Sequence, residues 1–291
     1  MRLELSGSLV QPAPLVVQFS ASQNFDPTKY TAMGYTNFDV ICIGAGGGMG
    51  GGIDTANTGT KIRSYGGAGG GGGVQRVKGL LSALPAVCPV VVGAGGAPGT
   101  EDPANVGLTT DGGDGGFSSF NGNTCQASGG KGGKRVQSNS LTVTTQANGG
   151  NGGVGGQTVA GGGGAGGTAG TPSAAGPGVA GVAGKDGTWN GTIGQGGGGG
   201  AGGVGEYGTA ITANPGTAGG RGAYNPGDTS VYVLGGLPRL DPESGSASVM
   251  PGNGGGAKAT PINGLPYGYG SSEPTHIAGD AGLVAIRLTA V

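Results

Sequence analysis

The stretch FDVICIGAGGGMGGG, residues 38–52, decides how this chain is read. An apolar, β-branched run enters a glycine-rich turn, which is how a dinucleotide-binding βαβ unit begins. Gly46, Gly48 and Gly51 satisfy G-x-G-x-x-G behind strand-like residues 40–43, and such loops hold pyrophosphate on backbone N–H groups at a helix N-terminus. That reading also needs a helix and a ribose-binding acid about 20 residues on. The continuation, IDTANTGTKIRSYGGAGGGGG, has no apolar i, i+3, i+4 pattern. Between Asp54 and Glu101 there is no acidic residue. The motif is not read as a nucleotide cradle, and its glycines need another explanation.

Composition supplies one. The chain holds 78 glycines in 291 residues, against a usual share of about 7%. Leu, Ile, Val and Phe together fall below about one residue in five, the level usual for a packed core. Charged residues are only 10% and the net charge is −1. Low hydrophobicity with high charge signals disorder, and this chain lacks the charge. Ordering a residue costs about 1–2 kcal/mol of backbone entropy, and glycine more. Side-chain burial this sparse cannot offset that cost, so order requires backbone hydrogen bonding and close backbone packing.

Periodicity favours order. In triplets, 66–74 reads GGA GGG GGV, 112–117 reads GGD GGF, 129–134 reads GGK GGK, and 149–157 reads GGN GGV GGQ. Gly178, Gly181, Gly184 and Gly187 hold the frame, as do Gly196, Gly199, Gly202, Gly205 and Gly208. Three residues per turn is the period of the polyproline II helix, which has no internal hydrogen bonds. A GGX spiral has two bare edges, lies against neighbours at backbone contact distance and exchanges N–H···O=C bonds laterally. The expected fold is therefore mostly irregular and β: a bundle of short polyglycine II helices with a small number of β-strands and almost no α-helix. Collagen is the competing use of the period, but GVAGVAGKDG, residues 178–187, is collagen-like for only three triplets.

Turns are expected where Pro, Asn, Asp and Gly combine: residues 92–107, 169–178, 212–220, 223–228 and 237–248. Strands are expected at 15–21, 38–44, 88–93, 141–145, 230–235 and 282–291, from alternation or β-branching. The last is expected to pair with the strand at Phe38. Residues 1–37 lack the GGX pattern and read as a strand-rich attachment segment ahead of a glycine-rich domain, 38–291, closed by the C-terminal strand.

The order FDVICIGAGGG, SYGGAGGGGGVQRV, CPVVVGAGG, DGGDGGFSSFNG, GGKGGK and finally GDAGLVAIRLTAV resembles the glycine-rich domain of bacteriophage minor tail and tail-fibre proteins, common in actinobacterial phages. The resemblance spans residues 38–291. It implies a structural virion tail component near the host-contacting end, made in the host cytoplasm and assembled with other tail proteins. It further implies a homo-oligomer, with a trimer favoured, and contact with a cell-envelope glycan or glycolipid. The rival class is a non-phage glycine-rich structural protein, cell-wall, extracellular or ice-binding.

No enzyme is expected. The only histidine, His276, lies in a loop-like stretch without a Cys or His partner cluster. Cys42, Cys88 and Cys125 lack C-x-x-C spacing, and Cys42 and Cys88 read as buried thiols. Asp111 and Asp114 are a formal carboxylate pair, yet DGGDGG reads as chemistry of the GGX tract. Neither a cofactor nor a metal site is expected, and balanced charge argues against nucleic acid. No run of 18 apolar residues exists, and MRLELSGSLVQPAP has no signal-peptide pattern. Contact with a host or partner is expected from turn-borne aromatics, Trp189, Tyr224, Tyr232, Tyr267 and Tyr269, which stack on sugars at low entropy cost.

Overall fold

The computed structural model describes residues 11–54, 61–64, 66–100, 109–139, 142–145, 148–165, 187–188, 190, 192–194, 207–208, 278–279 and 281–290. Its strands are Leu15–Phe19 (β1), Gln23–Phe25 (β2), Asn37–Ile43 (β3), Ile53–Asp54 (β4), Lys61–Ser64 (β5), Val74–Leu80 (β6) and Cys88–Val91 (β7). They continue with Ser118–Phe120 (β8), Cys125–Ala127 (β9), Gln137–Asn139 (β10), Thr142–Thr145 (β11), Ile193–Gly194 (β12), Tyr207–Gly208 (β13) and Leu283–Thr289 (β14). Among the described residues the α-helix is a single short one, Pro27–Ala32 (α1). The described residues are thus mostly non-helical, with a few strands.

Among the described residues the main apolar core lies in a small sandwich. One sheet has the order β1-β14-β3-β6-β12, the other β2-β7-β8-β9, and every pairing is antiparallel. Alternation on β3 and β14 sends Phe38, Val40, Cys42, Val284, Ile286 and Leu288 inward against Phe25, Cys88, Val90, Phe120 and Cys125 of the second sheet. Phe120 is the hinge of this core, its ring 5.7 Å from Phe25 and 5.8 Å from Phe38. Each such side chain contributes about 1.5–3 kcal/mol when fully buried. The C-terminal strand pairs with β3 as expected, Leu288 opposite Phe38. The N-terminal segment is joined to the same sandwich from residue 15 on, β1 to β14 and β2 to β7.

Six glycine-rich tracts run on from this sandwich: 44–52 follows β3, 66–73 precedes β6, 93–100 follows β7, 109–117 precedes β8, 128–136 follows β9, and 148–154 follows β11. Their hydrogen bonds recur at every third residue and run between tracts. Gly44, Gly47 and Gly50 donate to the carbonyls of Gly73, Gly70 and Gly67. Ala45, Gly48 and Gly51 donate to Gly116, Gly113 and Thr110. Tract 44–52 in turn accepts from Gly130, Gly133 and Val136, and from Gly96 and Gly99. The neighbours also bond to one another: Gly70 to Lys131, Gly115 to Gly130, Gly116 to Ala94, and Gly282 to Gly93. Tract 44–52 is therefore a fully buried central rod ringed by other backbones.

Glycine is obligatory at that centre. An ideal Cβ on Gly44, Gly47 or Gly50 would lie under 3.0 Å from the carbonyl oxygens of Ser128, Lys131 and Lys134. One on Gly48 or Gly51 would meet Ala97 or Thr100 equally closely. The paired backbone groups satisfy the rule that buried N–H and C=O find partners, without a side-chain core.

Two expectations change. Residues 92–107 were expected as a turn, but 93–100 is a tract. Gly96 and Gly99 donate to Gly46 and Met49 at the same interval of three, and Pro98 stands at a position whose N–H is not needed. The strand β6 had no counterpart in the sequence reading, because VQRVKGL carries Arg76 at a buried position. The strand expected at 230–235, and the turns expected from 169 onward, lie outside the described residues.

Candidate functional site

Backbone connectivity gathers several connections at the end of the tracts away from the sandwich. Tract 44–52 leads into β4 and tract 66–73 starts from β5, and these two strands pair with Ile53 opposite Ser64. Tract 128–136 leads into β10, whose partner β11 leads back to tract 148–154. Residues 101–108 join tracts 93–100 and 109–117. The tracts thus lead from the sandwich at one end to the β4–β5 and β10–β11 pairings at the other.

The aromatics expected to make contacts, Trp189, Tyr224, Tyr232, Tyr267 and Tyr269, lie outside the described residues, as does His276. Next to Trp189 in sequence, Asn190 forms a tight turn. Its Oδ1 accepts the N–H groups of Thr192 at 3.1 Å and Ile193 at 2.8 Å, launching β12.

The carboxylate pair weighed for glycosidic chemistry is committed elsewhere. Tracts 109–117 and 128–136 run antiparallel, so Asp114 faces Lys131 and Asp111 faces Lys134. The Lys131 Nζ lies 2.7 Å from Asp114 Oδ2, and the Lys134 Nζ 2.8 Å from Asp111 Oδ2. The second oxygens accept backbone N–H groups, Gly132 to Asp114 and Arg135 to Asp111, both at 3.0 Å. These carboxylates thus take backbone N–H groups of tract 128–136 that other tracts take elsewhere in the bundle. For both, burial raises the pKa, but the lysine and backbone hydrogen bonds outweigh it and leave each below the usual carboxylate value. A glycosidase acid needs the opposite displacement. The sequence signal for this ladder was present, with Asp and Lys both repeating at i, i+3 in the GGX frame.

The nucleotide-like motif is likewise accounted for by its bonds. The N–H groups of Gly47, Gly48, Gly50 and Gly51, which a pyrophosphate would need, donate to protein carbonyls. Cys42, Cys88 and Cys125 are free and buried, in agreement with the reading of the first two. Burial pushes the Cys42 thiol well up, helped by neighbouring Cys125. On the outer face of the five-stranded sheet, Arg76 binds Asp39 through Nε and Nη2 at 2.9 and 2.5 Å. Among the described residues no group of three His, Cys, Asp or Glu side chains could hold a metal ion, and no helix is long and apolar enough to cross a membrane. No known family model and no curated protein matches this sequence.

Proposed function

We propose that this chain is a structural, non-catalytic component of a bacteriophage tail, at the tip or fibre, in which a polyglycine II rod holds loops away from a β-sandwich base. In this reading each GGX tract is a polyglycine II spiral. Bonds at every third residue, the absence of bonds within tracts among the described residues, and two glycine edges turned to neighbouring backbones support it. The observation that carries the function is the backbone-bonded bundle itself, which sets the sandwich at one end apart from the β4–β5 and β10–β11 connections at the other. A scaffold stiffened by its backbone leaves loop sequences free to vary, which suits contact with a host envelope glycan or glycolipid. The ordered resemblance from FDVICIGAGGG to GDAGLVAIRLTAV supplies the phage assignment.

The sandwich base is the end for attachment to other tail proteins or to copies of the chain, with a trimer as the working stoichiometry. Antibody raised against the purified chain should decorate the tail of intact virions, and saturating protein should compete with phage for adsorption. Labelled virions without competition would leave a purely architectural role, and unlabelled virions would overturn the tail assignment.

A further inference from the structure

The two sheets of the sandwich differ in how their edges are finished. In the four-stranded sheet both edges, β2 and β9, are three residues long, and β9 is joined from Ala127 to Gly155 by a further bridge. The five-stranded sheet ends on one side in β12, which is only two residues long. Its other edge is β1, which pairs with β14 over all five of its residues without a register shift. Edge strands are normally blunted by shortness, charge, proline or a bulge. The strand LVVQF has none of these. Among the described residues β1 is paired on one side only. Its free side reaches the surface: Pro14, Gln18 and Ser20 are exposed, and Leu15, Val16 and Val17 are half-exposed.

The phase of the sheet says which backbone groups are left over. Leu81 donates to Thr36 and Gly44 to Gly73, so even-numbered residues of β3 bond to β6 and odd-numbered ones to β14. Even-numbered residues of β14 then bond to Leu15, Val17 and Phe19 of β1. The N–H and C=O groups of Val16 and Gln18 therefore point away from the sheet.

We infer that this edge is a self-association surface, on which β1 pairs antiparallel with β1 of a second copy of the chain about a twofold axis at Val17. In that register Val16 exchanges both N–H···O=C bonds with Gln18 of the second copy, and the axis repeats the exchange. Val17 meets its own counterpart in a close, non-hydrogen-bonded pair, and Leu15 stands opposite Phe19 of the second copy. The side chains of Leu15 and Val17, packed against the core but half-exposed in the single chain, are thereby covered.

Two features favour a second copy over an unrelated strand. The strand is self-complementary and uncharged, so no like charges meet across the axis. Arg287 lies opposite Val16 on β14, and its Nε is buried without a hydrogen-bond partner. In the joined sheet Gln18 of the second copy takes the next place in that row on the same face. Two strand spacings, about 10 Å, separate it from Arg287, a span that the two long side chains bridge over Val16. Pairing also closes the assembly, because the joined sheet ends on both sides in β12 and leaves no long edge for a third chain. The contact is twofold, whereas the trimer taken above needs a threefold one, so mass separates the two.

Three variants of the full-length chain test the contact. Val17→Cys puts a thiol on the axis, and Val16→Cys puts one off it, opposite Gln18. With oxidised glutathione as the oxidant, Val17→Cys should form a disulfide-linked dimer at least about 10-fold faster than Val16→Cys, because a non-hydrogen-bonded pair stands within disulfide range. Gln18→Pro removes an outward N–H and leaves the β1–β14 bonds in place. It should keep the native circular dichroism spectrum and weaken association in sedimentation equilibrium at least about 10-fold. Should that variant fail to fold, the two cysteine variants decide alone. Equal cross-linking rates, or a native chain that forms only a species of three, would overturn the pairing. So would a chain still monomeric at about 100 µM, which would leave the edge to a strand of another protein. None of these readouts depends on the phage assignment, which antibody labelling of virions tests separately.

Discussion

The carbonyl oxygen of Lys131 occupies the space that a Cβ on Gly47 would need, at under 3.0 Å from where that carbon would stand. Neither backbone can retreat, because Gly47 donates to Gly70 and Lys131 accepts from Gly70. Gly47→Ala should therefore cost about 3 kcal/mol or more, at or above the upper end of overpacking penalties. Gly122→Ala is the comparison: φ is +62° and nothing lies within 4 Å of its Cβ position, so the cost is about 1 kcal/mol of backbone strain. Urea midpoints of the two variants should rank accordingly, and equal midpoints would contradict backbone contact at the rod's centre.

The ladder of Asp111, Asp114, Lys131 and Lys134 predicts a specific acid response. Both carboxyls lie below the ordinary value of 3.8 when folded. Their contribution is fully present above that value and is lost as pH falls through the lower folded values. The double variant Asp111→Asn/Asp114→Asn keeps an oxygen for each backbone N–H but loses both ion pairs. It should be less stable at pH 7 by about 1 kcal/mol, since partly exposed pairs are weak. Below pH 4 its stability should fall less steeply than that of the native chain in thermal melts across pH.

Asp39 is the anionic partner of buried Arg76, with exposed Lys78 at 3.8 Å. Asp39→Ala leaves a buried guanidinium without its carboxylate and should cost about 3–5 kcal/mol. Adding Arg76→Leu should recover most of that loss in chemical denaturation. A double variant as unstable as the single one would mean that Asp39 matters through something other than Arg76.

The three thiols should be inert in the folded protein. Cys42, Cys88 and Cys125 are fully buried side chains, and burial raises the pKa of Cys42 and of Cys88. A thiol-specific chromogenic reagent at pH 8 should titrate none of them until guanidinium is added, and all three thereafter. Rapid labelling of Cys42 in native buffer would show that the sandwich core opens.

Much of the architecture was legible beforehand. The strands at Leu15, Phe38, Cys88, Thr142 and Leu283 were readable because each is β-branched or alternating over at least four residues. The pairing of the last with β3 was expected as what ties the two ends of the glycine-rich region together. The strands β8 and β9 were not readable: SSF and CQA are too short to show a period, and Ser118 is buried because its hydroxyl accepts the Gly93 N–H. Helix α1 was missed although Asp26 followed by Pro27 is a start signal, with Oδ1 accepting the Thr28 N–H. The aromatics expected to make contacts could not be placed against this frame, since all five lie outside the described residues.

The period of three was written in the residues, because a bare edge recurs only where glycine does, and that requirement is local. Which tract lies beside which was not, because one glycine edge is chemically the same as another and any GGX tract fits any neighbour. That choice is made by side chains. Phe38, Val40, Ile286 and Phe120 lock the strands at one end, and the Asp–Lys ladder sets the register between two tracts along the edge. The glycines of FDVICIGAGGGMGGG acquire their partners only when those residues come together.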